Sequence, residues 1–328
     1  MLEPPCEDMG VITRDPEVAA AALAAGQLVA LPTETVYGLG ADATNATALA
    51  RLYAVKGRPL NHPSIVHVAD RDAACSGWSS VWPAAAETLA QAFWPGPLTL
   101  ILPTGSRAHA AALGGTGTVA LRVPALPLAR AVIRHANTGI AAPSANRFGK
   151  VSPTTAQHVL EDLGESVDVI LDGGPCSIGV ESTIVDLTGD QPRVLRLGAI
   201  TIAMIEQALQ TPVTGASRDA PRAPGTLATH YAPRLPVSLV DSLAQAYQRD
   251  LSGVALIAHE PTNAEHGAIA LFDPGATQTL YAERLYALLR AADATEAIAI
   301  VVVLPSPGGL GDAIRDRLQR AAATTMGS

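Results

Sequence analysis

The residues of this chain best suited to chemistry lie in short polar segments marked by glycine and proline, and they are anion binders and hydroxyls, not nucleophiles. Lys56-Gly57-Arg58-Pro59 sets a lysine and an arginine two positions apart in a turn. There the lysine, as a point charge, and the arginine, as a fork, can surround a triphosphate. Lys56 would equally suit a helix C-terminus as a favourable charge, and both side chains are expected to lie outside the core. His67 ends the apolar run Ile65-Val66-His67, where a satisfied, half-buried histidine is the commoner case. Thr33, Glu34 and Thr35 follow a strand and can hydrogen-bond a small polar ligand or simply form a polar turn. Gly38 and Gly40 beyond them would admit a ligand to the backbone or allow a positive φ. Arg122 stands in the apolar run that begins Thr116-Gly117-Thr118, and a buried arginine needs an anionic partner. Ser144, Asn146, Lys150 and Ser152 follow another strand end. Ser152 reads as a helix N-cap, a place that also suits phosphate. Glu181-Ser182-Thr183 and Arg196 complete the set.

Two familiar alternatives fall away. Gly38-Leu39-Gly40-Ala41-Asp42-Ala43 fits the dinucleotide pattern on paper, but Pro32 to Tyr37 separates it from the preceding strand, so NAD binding is not expected. Neither a GxSxG elbow nor a Ser-His-Asp order is present. What remains favours an enzyme that works by positioning and charge neutralisation, as in nucleotidyl transfer.

The elements that must hold these residues read as α/β. The chain has 328 residues, 48% hydrophobic and 16% charged, which allows two domains with buried cores. A net charge of −8 argues against broad capture of nucleic acid, and only Lys56 and Lys150 are lysines. No apolar run is long enough for a membrane span, no signal peptide is expected at the start, and the scattered cysteines show no metal-binding spacing. Helices are expected at 16–26, 47–55, 84–93, 125–136, 152–163 and 201–210. Strands are expected at 27–31, 65–68, 98–102, 119–123, 140–142, 167–171, 183–187 and 194–197, giving a mixed sheet with helices packed on it. Residues 32–43 read as a polar segment. Residues 211–236, rich in proline, glycine and arginine, read as a linker, although Thr229-His230-Tyr231 is unusual for a spacer. Beyond it, strands near 254–259, 268–272 and 297–304 alternate with helices at 279–293 and 311–325, suggesting a small parallel Rossmann-like domain.

PTETVYGLGADA, KGRP, WPGPLTLIL, VALRVP, APSAN, VSPT and ESTIVD occur in that order, followed by Pro224-Gly225, His230-Tyr231-Ala232-Pro233 and YAERLYALLRAAD. With these motifs the chain resembles the YrdC-like family in its long, two-domain form. The resemblance implies a YrdC-like mixed twisted sheet with a concave active site over 1–210, a linker or lid over 211–236, and a Rossmann-like domain over 237–328. It implies ATP-dependent formation of L-threonylcarbamoyl-adenylate from L-threonine and bicarbonate, with release of pyrophosphate. Magnesium is expected on the phosphates, and a cytoplasmic tRNA threonylcarbamoyl transferase complex is the expected recipient of the product. Lys56 and Arg58 would be catalytic. Thr35, His67, Arg122 and Ser182 would hold threonine, and Arg58, His62, Thr118, Ser144, Asn146, Ser152, Arg196 and Tyr231 would line the nucleotide side. His62 departs from the small polar residue often found there, and Leu227-Ala228-Thr229 lacks the basic residues often found before the His-Tyr pair. The alternatives are a carbamoyl-adenylate-forming enzyme with another acceptor amine, and a non-catalytic RNA-binding protein.

Overall fold

The computed structural model describes residues 11–59, 61–215, 230–259 and 267–323. Eleven strands form one mixed sheet: β1 (Val11–Thr13), β2 (Val29–Leu31), β3 (Gly38–Asp42), β4 (Ile65–His67), β5 (Leu98–Pro103), β6 (Thr118–Arg122), β7 (Ile140–Ala141), β8 (Val169–Leu171), β9 (Thr183–Asp186), β10 (Arg193–Arg196) and β11 (Thr214–Gly215). Their spatial order is β1-β8-β2-β3-β7-β4-β6-β5-β9-β10-β11. Parallel pairs such as β4–β6 occur beside antiparallel pairs such as β4–β7.

Three departures from the sequence reading shape the site. β3 lies inside the segment taken as a polar turn. Neither Gly38 nor Gly40 has a positive φ; glycine is needed at 40 because a Cβ there would meet Ile140 Cγ2 at 2.9 Å and the Val29 carbonyl at 3.0 Å. The helix expected from Ser152 begins at Ala156, and its N-cap is Thr155, whose side chain accepts from the His158 amide. Finally, Thr214–Gly215, within the stretch read as linker, pairs in parallel with β10.

The helices form where propensity and caps agree. Asp15 and Pro16 start the helix Pro16–Ala24, and Asn45 caps Ala46–Lys56, which closes at Gly57 in the left-handed region (φ 63°). Leu49, Leu52, Leu89 and Val159 from three helices meet Leu39, Leu100 and Leu121 of the sheet in one apolar core.

A second, four-stranded sheet is wholly parallel: β12 (Val237–Val240), β13 (Val254–Ile257), β14 (Ala270–Phe272) and β15 (Ala299–Val303), in the order β12-β15-β13-β14. The helices Gln278–Asp293 and Leu310–Ala323 pack on it. Their buried face carries Tyr286 and Leu318 into a core that also includes Val36, Val151, Val180 and Tyr231. The two sheets are therefore joined by a shared core, not merely tethered. At this junction Gly179 (φ 77°) runs so close to the long helix that a Cβ would lie 2.2 Å from the Ala282 carbonyl.

Candidate active site

A cleft opens over one face of the large sheet. Ile65 and His67, two apart on β4, present the same face, as the period of a strand requires. Gly38 of β3 and Ala142, just past β7, extend that floor. At the C-terminal ends of the parallel pair β4–β6, His67 lies directly across from Arg122. The segment after β2 brings Thr33 and Thr35 over them, while Ser144, Arg58, Glu181, Arg196, His230 and Tyr231 form the remaining walls.

Arg122 is buried and bonded through all three of its nitrogens. Its Nη2 donates to Glu34 Oε1 (2.6 Å), Nη1 to Thr35 Oγ1 (2.9 Å) and Nε to the Gly96 carbonyl (3.3 Å). The other oxygen of Glu34 accepts from the Ala125 amide at 2.9 Å. The anion that the buried arginine required is thus internal, and Glu34 was not among the expected site residues. His67 beside it is held neutral: burial first, then the Arg122 charge, brings its pKa down to about 3.

Lys56 corrects the picture of two solvent-facing cations around a phosphate. Its ammonium is buried and donates to the carbonyls of Ser144 and Asn146, the latter at 2.6 Å. Burial first, and then the neighbouring Arg58 charge, lowers its pKa well below the ordinary lysine value. Lys56 therefore ties the end of its helix to the loop that carries Ser144. Arg58 does reach the cleft. Its Nη2 donates to the Pro63 carbonyl (2.7 Å), its Nε lies 3.4 Å from the His62 carbonyl, and its guanidinium lies 5.9 Å from the Phe148 ring centre. Both side chains belong to the core in burial, contrary to expectation.

Several other expected residues stand behind the cleft. The Ser182 hydroxyl lies 2.8 Å from Thr99 Oγ1 and accepts from Arg196 Nη2 (3.0 Å), so it orients the arginine. Asn146 Nδ2 donates to the carbonyls of Arg147 and Lys150, both at 2.8 Å. The His62 ring packs edge-on against Phe148. Thr118, at the start of β6, bonds Thr116 Oγ1 at 2.9 Å. None of these four lines the cleft. Ser152 is not an N-cap; its hydroxyl, fully buried, donates to Glu181 Oε1 at 2.7 Å.

The linker end closes one wall. The Ala232 amide donates to the Gly149 carbonyl (2.9 Å), seating His230 and Tyr231 in the site. Tyr231 has φ 63°, a region costly for a side chain other than glycine. Its ring stacks on Tyr286 at 5.8 Å, and the Arg317 guanidinium lies 5.3 Å from its centre. The buried Tyr231 hydroxyl and His230 Nδ1 have no hydrogen-bond partner among the described residues. Burial first also brings His230 down to about 3. Leu227-Ala228-Thr229 lie outside the described residues.

Glu181, which the sequence marked only as a neighbour of Ser182 and Thr183, has a larger part than its motif suggested. Burial alone would raise its pKa, but Arg317 and Arg196 outweigh that and bring it down to about 2. It accepts from Arg317 Nε (2.7 Å), the Tyr286 hydroxyl (2.9 Å to Oε2) and Ser152. Glu181 in the cleft and Glu34 beside it are thus both committed to arginines. Among the described residues no group of three His, Cys, Asp or Glu side chains is placed to hold a metal ion.

A mixed sheet beneath a cleft walled by buried guanidinium groups, hydroxyls at strand ends and the residues His230 and Tyr231 is the build of an α/β enzyme that binds a small anionic ligand. Residues 21–198 match the family model described as Telomere recombination, and residues 200–323 match the threonylcarbamoyl-AMP synthase C-terminal domain. The chain belongs to the threonylcarbamoyl-AMP synthase family. It is 41% identical over 327 residues to the threonylcarbamoyl-AMP synthase of Bacillus subtilis, covering 94% of each chain. It is 38% identical over 317 residues to that of Pyrococcus abyssi, covering 93% of each. The crystal structure of P. abyssi Sua5 complexed with L-threonine superposes with a TM-score of 0.86 at 36% identity, over 96% of this chain and 97% of that one.

Proposed function

We propose that the cleft joins L-threonine, bicarbonate and ATP into L-threonylcarbamoyl-adenylate and releases pyrophosphate. The observation that carries this reading is the make-up of the cleft. Hydroxyls and a neutral histidine gather at one end of β4 and β6, guanidinium groups line the walls, and buried polar atoms of the linker point in without partners.

The threonine amine adds to carbon dioxide drawn from bicarbonate and loses a proton, giving a carbamate. A carbamate oxygen then attacks the α-phosphorus of ATP, and the bond to the bridging oxygen breaks with its electron pair leaving on pyrophosphate. Neutral His67 does not repel the amine as a cation would. Thr35 and His67 would orient threonine, whose carboxylate would share Arg122 with Glu34. Arg58 and Arg196 would take the phosphate oxygens and offset the charge that develops on the leaving group. Tyr231 and His230 exclude water from the mixed anhydride. Magnesium would arrive on the nucleotide phosphates. The product would pass, in the cytoplasm, to a transferase complex that modifies tRNA; no described helix is long and apolar enough to cross a membrane.

Mass spectrometry of a reaction containing ATP, bicarbonate and threonine tests the reading. The threonylcarbamoyl-adenylate mass should require all three reactants. Faster pyrophosphate release with another amine than with threonine would move the assignment to that acceptor.

A further inference from the structure

The cleft wall around Glu181 is built from both units. Glu181 faces Ser152, the Arg196 guanidinium on β10, the linker's His230 and Tyr231, Tyr286 from the helix Gln278–Asp293, and Arg317 from the helix Leu310–Ala323 with Asp316 beside it. Among the described residues, the charged group that donates to Glu181 is Arg317, through Nε at 2.7 Å. Arg317 is 1% exposed, and its Nη2 is fixed on the Leu197 carbonyl at 2.8 Å, one residue beyond Arg196. The second unit thus inserts a buried cation directly behind the wall of the first unit's cleft.

We propose that Arg317 is a positioning residue of the cleft: it takes up the charge of Glu181, keeping that carboxylate off Arg196 and leaving the wall positive enough for a polyphosphate. The inference rests on the nucleotide reading of the cleft given above. Without Arg317, the buried carboxylate would lose its charged donor, would draw on the Arg196 guanidinium that already shares its field, and would stand close to bound phosphates of the same sign. Tyr286 assists by donating its hydroxyl to the same carboxylate. The Arg317 guanidinium also supports the Tyr231 ring, so the linker's aromatic residue and the neutralised carboxylate depend on the same side chain. The low pKa of Glu181 agrees with this arrangement, since two guanidinium groups outweigh its burial. A second unit that only anchored the linker would need no charge at this point.

Calorimetry on the full chain separates the possibilities, with ATP and threonine titrated into the same preparations. Arg317→Met should weaken ATP binding about tenfold or more, the effect of one uncompensated charge at short range. Threonine affinity should stay within about twofold. The ATP deficit, taken relative to wild type at each pH, should shrink as pH falls, because burial without Arg317 favours the protonated Glu181. Glu181→Gln combined with Arg317→Met should bring ATP affinity back to within about threefold of wild type. If Arg317→Met binds ATP as wild type does, the inference is overturned. It is overturned equally if ATP and threonine affinities fall together and the double variant restores neither, because that is the pattern of a purely structural role. Should Arg317→Met fail to fold, Tyr286→Phe must weaken ATP alone, and unchanged ATP binding in that variant overturns the inference too. A wild-type protein that does not bind ATP would instead defeat the nucleotide reading itself.

Discussion

Removing Arg122 offers a direct test of how the site is held together. Arg122→Leu strands Glu34, which is 7% exposed and loses its 2.6 Å guanidinium partner. Breaking a buried ion pair by deleting one partner costs about 3–5 kcal/mol. The Gly96 carbonyl also loses its donor, adding about 1 kcal/mol, whereas Thr35 keeps Thr33 as a partner. The sum of about 4–6 kcal/mol is comparable to the whole stability of a marginal domain. Lost threonine binding in this variant would therefore not by itself show that Arg122 touches threonine. The informative comparison adds Glu34→Gln with Arg122→Met, which removes both charges while roughly keeping volume. Urea unfolding should show the single variant much less stable than wild type and the double variant recovering most of the loss. Threonine calorimetry on the folded double variant then reports on binding alone. An Arg122→Leu protein within about 1 kcal/mol of wild type would refute the claim that Glu34 depends on this arginine.

Lys56→Met keeps the length of the stem but removes the ammonium from the Ser144 and Asn146 carbonyls; each orphaned carbonyl costs about 1–3 kcal/mol. Lower thermal stability should accompany slower pyrophosphate release through the displaced Ser144 loop, and unchanged melting would remove the lysine's structural role. Acid should also weaken the ligand-free protein. His67 and His230 take up a proton near pH 3 when folded but near 6.5 when unfolded, so the unfolded chain binds more protons in between. Their stabilisation is complete above about pH 6.5 and is lost as pH falls toward 3, by about 2 kcal/mol for each between pH 7 and 5. Urea midpoints that do not move over that interval would contradict neutral, buried imidazoles.

Much of this molecule was legible in local patterns, because capping and alternation are properties of neighbours in the chain. Asn45 and Gly57 bracket their helix, the apolar runs became parallel strands of the small sheet, and the ordered motifs from PTETVYGLGADA to ESTIVD marked the family. Arg122 announced a need for an anion simply by standing in an apolar strand. Local pattern misled where packing overrides propensity. β3 is glycine-rich and reads as a turn, yet glycine is what fits between β2 and β7 when Ile140 and the Val29 carbonyl crowd both sides. Ser152 looks like a cap, but the helix starts later and its hydroxyl serves Glu181.

Partnership across long separations could not be read locally at all. Glu34 meets Arg122 from 88 positions away, and Glu181 meets Tyr286 and Arg317 from 105 and 136 positions away. No spacing rule connects such residues. Whether a lysine or arginine is a solvated charge or a buried one depends on which segments fold over it, as Lys56 and Arg58 show. The sequence by itself determined the inventory of anion binders, the α/β class and the family. Only the tertiary structure decided which charges cancel within the protein and which remain to face the cleft, because electrostatic pairing depends on distance in space and on the exclusion of water.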